Sequence, residues 1–163
     1  MIKDVKEIVN LLNDLIKSEF TTINQYWLYG LTLGHDGLDR LSKKFIEESV
    51  EEREHVSAVA ARILQLGGNP VFGGPDVIKN TENVEEMLKS CLVLEEKIIS
   101  QYNDAITKIS SLNDHATADM LTEILCEEEE HKEWLTAQIE IIKKIGYQLY
   151  VAKLIEFCGK CGD

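Results

Sequence analysis

The sequence predicts an all-α protein: a four-helix bundle with a long crossover between the second and third helices and a short fifth helix near the C-terminus. Three observations carry this. Apolar residues recur at helical spacing through four long stretches, and Gly and Pro are confined to a few connections. The third is a doubled motif, in which Glu19 is followed 33 residues later by Glu52-Arg53-Glu54-His55, and Glu95 is followed 33 residues later by Glu128-Glu129-Glu130-His131. The copies lie 76 residues apart, so the chain reads as two similar helical hairpins.

The first helix is expected from about Asp4 to Thr32, with Val5, Ile8, Leu12, Leu15, Ile16, Ile23 and Tyr26 on an apolar stripe and Glu19 inside it. The second, from about Asp39 to Leu66, places Phe45, Ser49, Val56, Val59, Ile63 and Leu66 on one face, with Glu52 and His55 in the middle. The third begins near Asn83, which with Glu86 three residues on resembles a capping box. Its stripe is Met87, Cys91, Glu95, Ile98, Tyr102, Ile106 and Ile109. The fourth, from about Asp114 to Ile145, carries Met120, Ile124, Glu128, His131, Leu135 and Ile142. A short fifth helix is expected from about Tyr147 to Phe157.

Short connections at Gly34 to Gly37 and Ser111 to Asn113 make each half an antiparallel hairpin. The stretch from Gly67 to Glu82 is different, because roughly 16 extended residues reach ~50 Å. A helix of about 28 residues is ~42 Å long, so this linker can return the chain to the opposite end and set the second and third helices parallel. All six motif ligands then lie level, midway along the bundle.

With 163 residues, 44% hydrophobic and 28% charged, the chain is long and apolar enough for one folded domain, expected over residues 1–157 with a tail at 158–163. A net charge of -12 opposes nucleic acid and anionic membrane as partners and favours cations. The start lacks an apolar signal region and no stretch is suited to span a bilayer, so a cytoplasmic location is expected. Four cysteines are few for a disulfide scaffold. Cys91 and Cys126 read as small core residues, and Cys158 and Cys161 form a single C-x-x-C, two ligands short of a tetrahedral zinc site. His35 and His115 read as solvated, and Trp27 and Trp134 as packing or interface residues.

The doubled motif carries the chemistry. In Glu-x-x-His the carboxylate and imidazole are one turn apart and reach the bundle axis together. Two such pairs with two single glutamates supply four carboxylates and two imidazoles, which two divalent cations would balance. Mixed oxygen and nitrogen donors suit Fe(II), Mn(II) or Zn(II), and affinity order does not select among them. Tyr26 and Tyr102 each follow their half's first glutamate by seven residues, two turns along the same face.

These residues, with Glu19-Phe20-Thr21-Thr22-Ile23-Asn24-Gln25-Tyr26, Val84 to Ser90 and Glu123 to His131, resemble the bacterioferritins, in the ferritin-like di-iron superfamily. The resemblance covers about residues 5 to 150 and implies a ferritin-like four-helix bundle. It implies that Glu52 and Glu128 bridge two iron ions, that Glu19 and His55 hold one and Glu95 and His131 the other, and that Tyr26 lies beside the cluster as a hydrogen-bonding partner or electron donor. Tyr102 reads as core. The implied activity is a ferroxidase that oxidises Fe(II) with dioxygen or hydrogen peroxide and stores ferric mineral in a homo-oligomeric shell of 24 subunits, with a ferredoxin-type donor for iron release.

Glu47 and Glu51 match positions where the family binds iron on the inner surface, and Glu54 could also face such a cavity. Members of the family commonly hold haem between two subunits through a methionine directly after the bridging glutamate of the second helix. Arg53 stands there, and a guanidinium is no iron ligand, so no haem is expected. Met87 and Met120 read as core filler. The alternative activity is a di-iron peroxidase or oxidase of the rubrerythrin type without iron storage, although such proteins usually add a module with two C-x-x-C pairs. A non-catalytic bundle fits the repeated ligand set least.

Overall fold

The computed structural model describes residues 2–155. It contains α1 (Val5–His35), α2 (Asp39–Gln65), α3 (Val84–Ser111), α4 (His115–Ile145) and α5 (Tyr147–Ala152), and no strand among the described residues. Three of the four long helices, α1, α3 and α4, start where a side chain satisfies an exposed backbone N–H group, whereas α2 starts at Leu38 without one. Asp4 accepts from the Glu7 N–H at 3.0 Å, Asn83 from Glu86 at 3.0 Å and Asp114 from Thr117 at 3.2 Å. The box at Asn83 closes differently from expectation, because the Glu86 carboxylate accepts from the Thr81 hydroxyl at 2.7 Å, and that hydroxyl accepts from the Asn83 N–H at 3.3 Å.

α1 packs along α2 and α3 along α4, while α1–α3 and α2–α4 contacts join the hairpins. Gly30 permits the close α1–α2 approach: a Cβ there would lie 2.7 Å from the Ile46 side chain. The linker runs beside α1 in α1's own direction. Asn69 and Val71 bond Asn13, the Asp76 N–H donates to Thr21, the Lys79 carbonyl accepts from Gln25, and Asn80 meets Thr32. Asp76 also pairs with Lys17 of α1 and Lys97 of α3, at 3.6 and 3.2 Å. The chain is thus returned to the end where α2 began, and α2 and α3 run parallel, as the linker length predicts.

The core has two apolar clusters. One gathers Ile8, Leu12, Leu15, Val59, Ile63, Ile109 and Leu121, and the other Tyr29, Leu33, Phe45, Met87, Leu88 and Leu135. The four motif glutamates and both histidines lie between them. No described helix is long and apolar enough to cross a membrane.

Some expected positions differ. Val5, the first residue of α1, is 37% exposed. Cys126 is exposed: Ile124 and Glu128 face inward, and the residue between them points outward at 100° per residue. α5 stops at Ala152, since Lys153 and Leu154 form a turn, so it is shorter than expected. Cys158 and Cys161 lie outside the described residues.

Candidate metal centre

All four long helices contribute at one level: Glu19 from α1, Glu52 and His55 from α2, Glu95 from α3, and Glu128 and His131 from α4. The glutamates are 0% exposed and the histidines 3% and 6%. Each ring turns Nδ1 inward. His55 Nδ1 lies 3.0 Å from Glu52 Oε2 and 2.9 Å from Glu128 Oε1. His131 Nδ1 lies 3.2 Å from Glu52 Oε1 and 3.6 Å from Glu128 Oε2. Glu52 and Glu128 therefore each present one oxygen to either half.

The ligand atoms form two sets, Glu19–Glu52–His55–Glu128 and Glu52–Glu95–Glu128–His131, each with all atoms within 4.8 Å of one another. The sets share Glu52 and Glu128. The donor set would fit two cations, because Glu19 Oε2 and Glu95 Oε2 are buried without hydrogen-bond partners and face the shared carboxylates and imidazoles. Such groups are costly to bury unless something coordinates them.

Tyr26 and Tyr102 complete the arrangement by crossing between the halves. The Tyr26 hydroxyl donates to Glu95 Oε1, and the Tyr102 hydroxyl to Glu19 Oε1. One oxygen of each outer glutamate is thereby occupied, and the other faces the cluster. The tyrosine rings are 1% and 0% exposed. Burial, then the charge of the bonded glutamate, raises both phenols well above the ordinary range, so they stay neutral. Tyr102, read from sequence as core, is both core and a partner of the site; its signal was the repeat itself.

The charges of the cluster are coupled. Burial raises Glu19 and Glu95 well above the usual carboxylate range, with the neighbouring carboxylates adding to it. Burial would also raise Glu52, but His131 and His55 outweigh it and hold Glu52 at about 2. Burial alone would lower both imidazoles, yet Glu128 and Glu52 raise each to about 11. Protons on His55 and His131 thus supply the positive charge that bound cations would otherwise provide.

Around this set lie acids that sequence reasoning missed. Glu48, 2% exposed, sits 2.9 Å from His131 Nε2 and also contacts Lys44. Its signal was its place one turn before Glu52 on the inward face. Glu127 lies 2.8 Å from His55 Nε2 with a 51% exposed side chain, and nothing in the run of acids from 127 to 130 distinguished it. Of the expected inner-surface residues, Glu51 lies 3.6 Å from His131 Nε2, whereas Glu47 is 60% exposed and pairs with Lys43. Glu54 is exposed and apart from the cluster.

Arg53 lines a hollow of about 300 Å³ on the α1–α2 face with Phe20, Ile23, Asn24, Trp27, Ile46 and Ser49. None of these carries a thioether or imidazole, so the hollow does not supply an axial ligand for haem.

Comparison with known proteins agrees with this geometry. The ferritin-like domain family matches residues 9–145. The chain is 31% identical over 150 residues to a bacterioferritin of Streptomyces coelicolor, covering 92% of this chain and 90% of the relative. It is 30% identical over 149 residues to a bacterioferritin of Mycolicibacterium paratuberculosis, with 91% and 94% covered. A bacterioferritin of Brucella melitensis is 31% identical over 148 residues, with 91% and 92% covered. A doubled ligand set at the waist of a crossover four-helix bundle and near full-length likeness lead to one conclusion: the chain belongs to the bacterioferritin family of ferritin-like proteins.

Proposed function

We propose that the protein is a ferroxidase and iron-storage protein, taking Fe(II) as substrate at a dinuclear site within each chain. The observation that carries this reading is the pair of shared carboxylates, Glu52 and Glu128, each offering one oxygen to either half. Glu19 and His55 hold one iron and Glu95 and His131 the other. Four anionic side chains favour the higher charge of Fe(III), which drives oxidation. With dioxygen, four Fe(II) and four protons give four Fe(III) and two waters; hydrogen peroxide accepts two of those electrons. Glu52 and Glu128 fix the separation of the ions, and the surrounding apolar clusters limit water access.

The ferric product passes to a mineral inside a shell of 24 copies, working in the cytoplasm and served by a ferredoxin-type donor when iron is released. The relatives' likeness over nearly the whole chain supports this assembly. So do apolar side chains left exposed on α1 and α2, with Trp27 at 54%, Leu31 at 58% and Val50 at 42%. Glu51 is the better candidate than Glu47 for iron on the inner surface, given its approach to His131. No haem is bound at Arg53. The test is aerobic Fe(II) addition at a few ions per chain and then at hundreds, with particle size measured throughout. Fast oxidation followed by soluble mineral in a large shell is the expected result. Oxidation that stops at two irons per chain in a small oligomer would favour the peroxidase or oxidase alternative.

A further inference from the structure

The two halves of the site differ in their acids but agree in one feature: each outer glutamate receives a phenol from the opposite hairpin. Tyr26 on α1 reaches Glu95 on α3, and Tyr102 on α3 reaches Glu19 on α1. Both rings are at most 1% exposed, and both hydroxyls end on oxygens of iron ligands. Two irons at the centre carry two electrons, enough to reach hydrogen peroxide and two short of water. Two equivalent phenols, each with a carboxylate in place to take its proton, supply that difference.

We propose that Tyr102 is a second redox-active tyrosine equivalent to Tyr26, and that together they let one centre reduce dioxygen completely to water in a single turnover. Two Fe(II), two tyrosines, dioxygen and two protons give two Fe(III), two neutral tyrosyl radicals and two waters. Each phenol loses one electron to oxygen and its hydroxyl proton to the bonded glutamate, from which the proton passes to the forming water. The O–O bond breaks after four electrons have arrived. Two further Fe(II) with two protons restore the phenols, so storage turnover as a whole remains four Fe(II) per dioxygen.

The halves differ in how the radical is connected outward. The Tyr26 ring meets Phe45 edge-on at 5.3 Å, and Phe45 meets Trp134 at 6.2 Å. Among the described residues no aromatic ring pair includes Tyr102, so its radical is the more isolated and the longer lived.

The inference rests on the ferroxidase reading, and the test separates the two. The intact protein is loaded anaerobically with two Fe(II) per chain and mixed with excess dioxygen. Iron oxidised per dioxygen, hydrogen peroxide released and freeze-quenched radical signals are then measured. The expected wild-type result is two irons per dioxygen, no peroxide, and a tyrosyl signal that changes shape when ring-deuterated tyrosine is incorporated. Tyr102→Phe and Tyr26→Phe, each left one electron short of water, should release peroxide at about one per two irons and lose the tyrosyl signal, as should the double variant. Co(II) absorption spectra of the variants check that the ligands still assemble. Four irons per dioxygen, peroxide release from the wild type, or a signal unchanged by Tyr102→Phe would each overturn the inference while leaving the ferroxidase reading intact. Failure to oxidise iron at all would defeat that reading instead.

Discussion

Glu48→Gln tests how the centre holds its two ions unequally. Glu48 is 2% exposed and lies 2.9 Å from His131 Nε2, so it fixes the ring that turns Nδ1 into the cluster. Its counterpart at His55 is Glu127, at 2.8 Å but with a 51% exposed side chain screened by solvent. Loss of an outer partner that orients a metal-bound histidine typically costs 10- to 100-fold in affinity, or about 1.4–2.8 kcal/mol. The buried partner should stand at the upper end of that range and the exposed one at or below the lower. Lys44, freed from Glu48, is 36% exposed and can turn to solvent, so the substitution does not strand a buried cation. The assay is an anaerobic Co(II) titration followed by d–d absorption and calorimetry. Wild type should bind in two unequal steps. Glu48→Gln should weaken the Glu95–His131 half by at least tenfold, and Glu127→Gln should shift the other half by a few-fold. Equal losses in both variants, or no loss in Glu48→Gln, would refute the reasoning.

Loading should also depend steeply on pH. His55 and His131 hold protons up to about 11, and both must lose them to bind metal, so protons compete with cations throughout the neutral range. Apparent affinity for the pair should rise at least about 100-fold per unit between about pH 6 and 8, since Glu19 and Glu95, also raised by burial, add to the protons displaced; proton release should appear in weakly buffered calorimetry, and a flat profile would contradict it. Glu128→Ala should abolish fast oxidation, since it removes an oxygen from both ligand sets, and an unchanged initial rate in stopped flow would refute the assigned role. Arg62 donates to Asp114 at 2.8 Å and to Thr117 at 2.6 Å, joining the end of α2 to the start of α4. Arg62→Ala strands the Asp114 carboxylate, 3% exposed, and should cost about 3–5 kcal/mol in denaturant unfolding, whereas a loss below about 1 kcal/mol would show that water replaces the guanidinium. Expression with ample haem should yield no stoichiometric Soret band, and one haem per two chains would contradict the reading of Arg53.

Much of this was legible because it follows from periodicity. The apolar stripes run on single helices, the linker is long enough to cross the bundle, and each Glu-x-x-His lies within one turn, so the clustering of these six side chains at one level could be read without a partner helix. What escaped depends on which faces meet. The crossed bonds from Tyr26 to Glu95 and from Tyr102 to Glu19 need α1 and α3 antiparallel and adjacent, and helix periodicity places each tyrosine only on the face of its own half's glutamate. Glu48 resembled other acids of α2 until α4 placed His131 against it. Cys126 shows the limit in the other direction, because a small apolar residue two positions from buried neighbours can face solvent.

Crystals soaked anaerobically with Fe(II) and measured at the iron absorption edge would show whether Glu52 and Glu128 bridge a dinuclear centre. Two anomalous peaks per chain are expected, about 3.5–4 Å apart, with Glu52 and Glu128 touching both. A single peak, or iron only at Glu48 and Glu51, would contradict it.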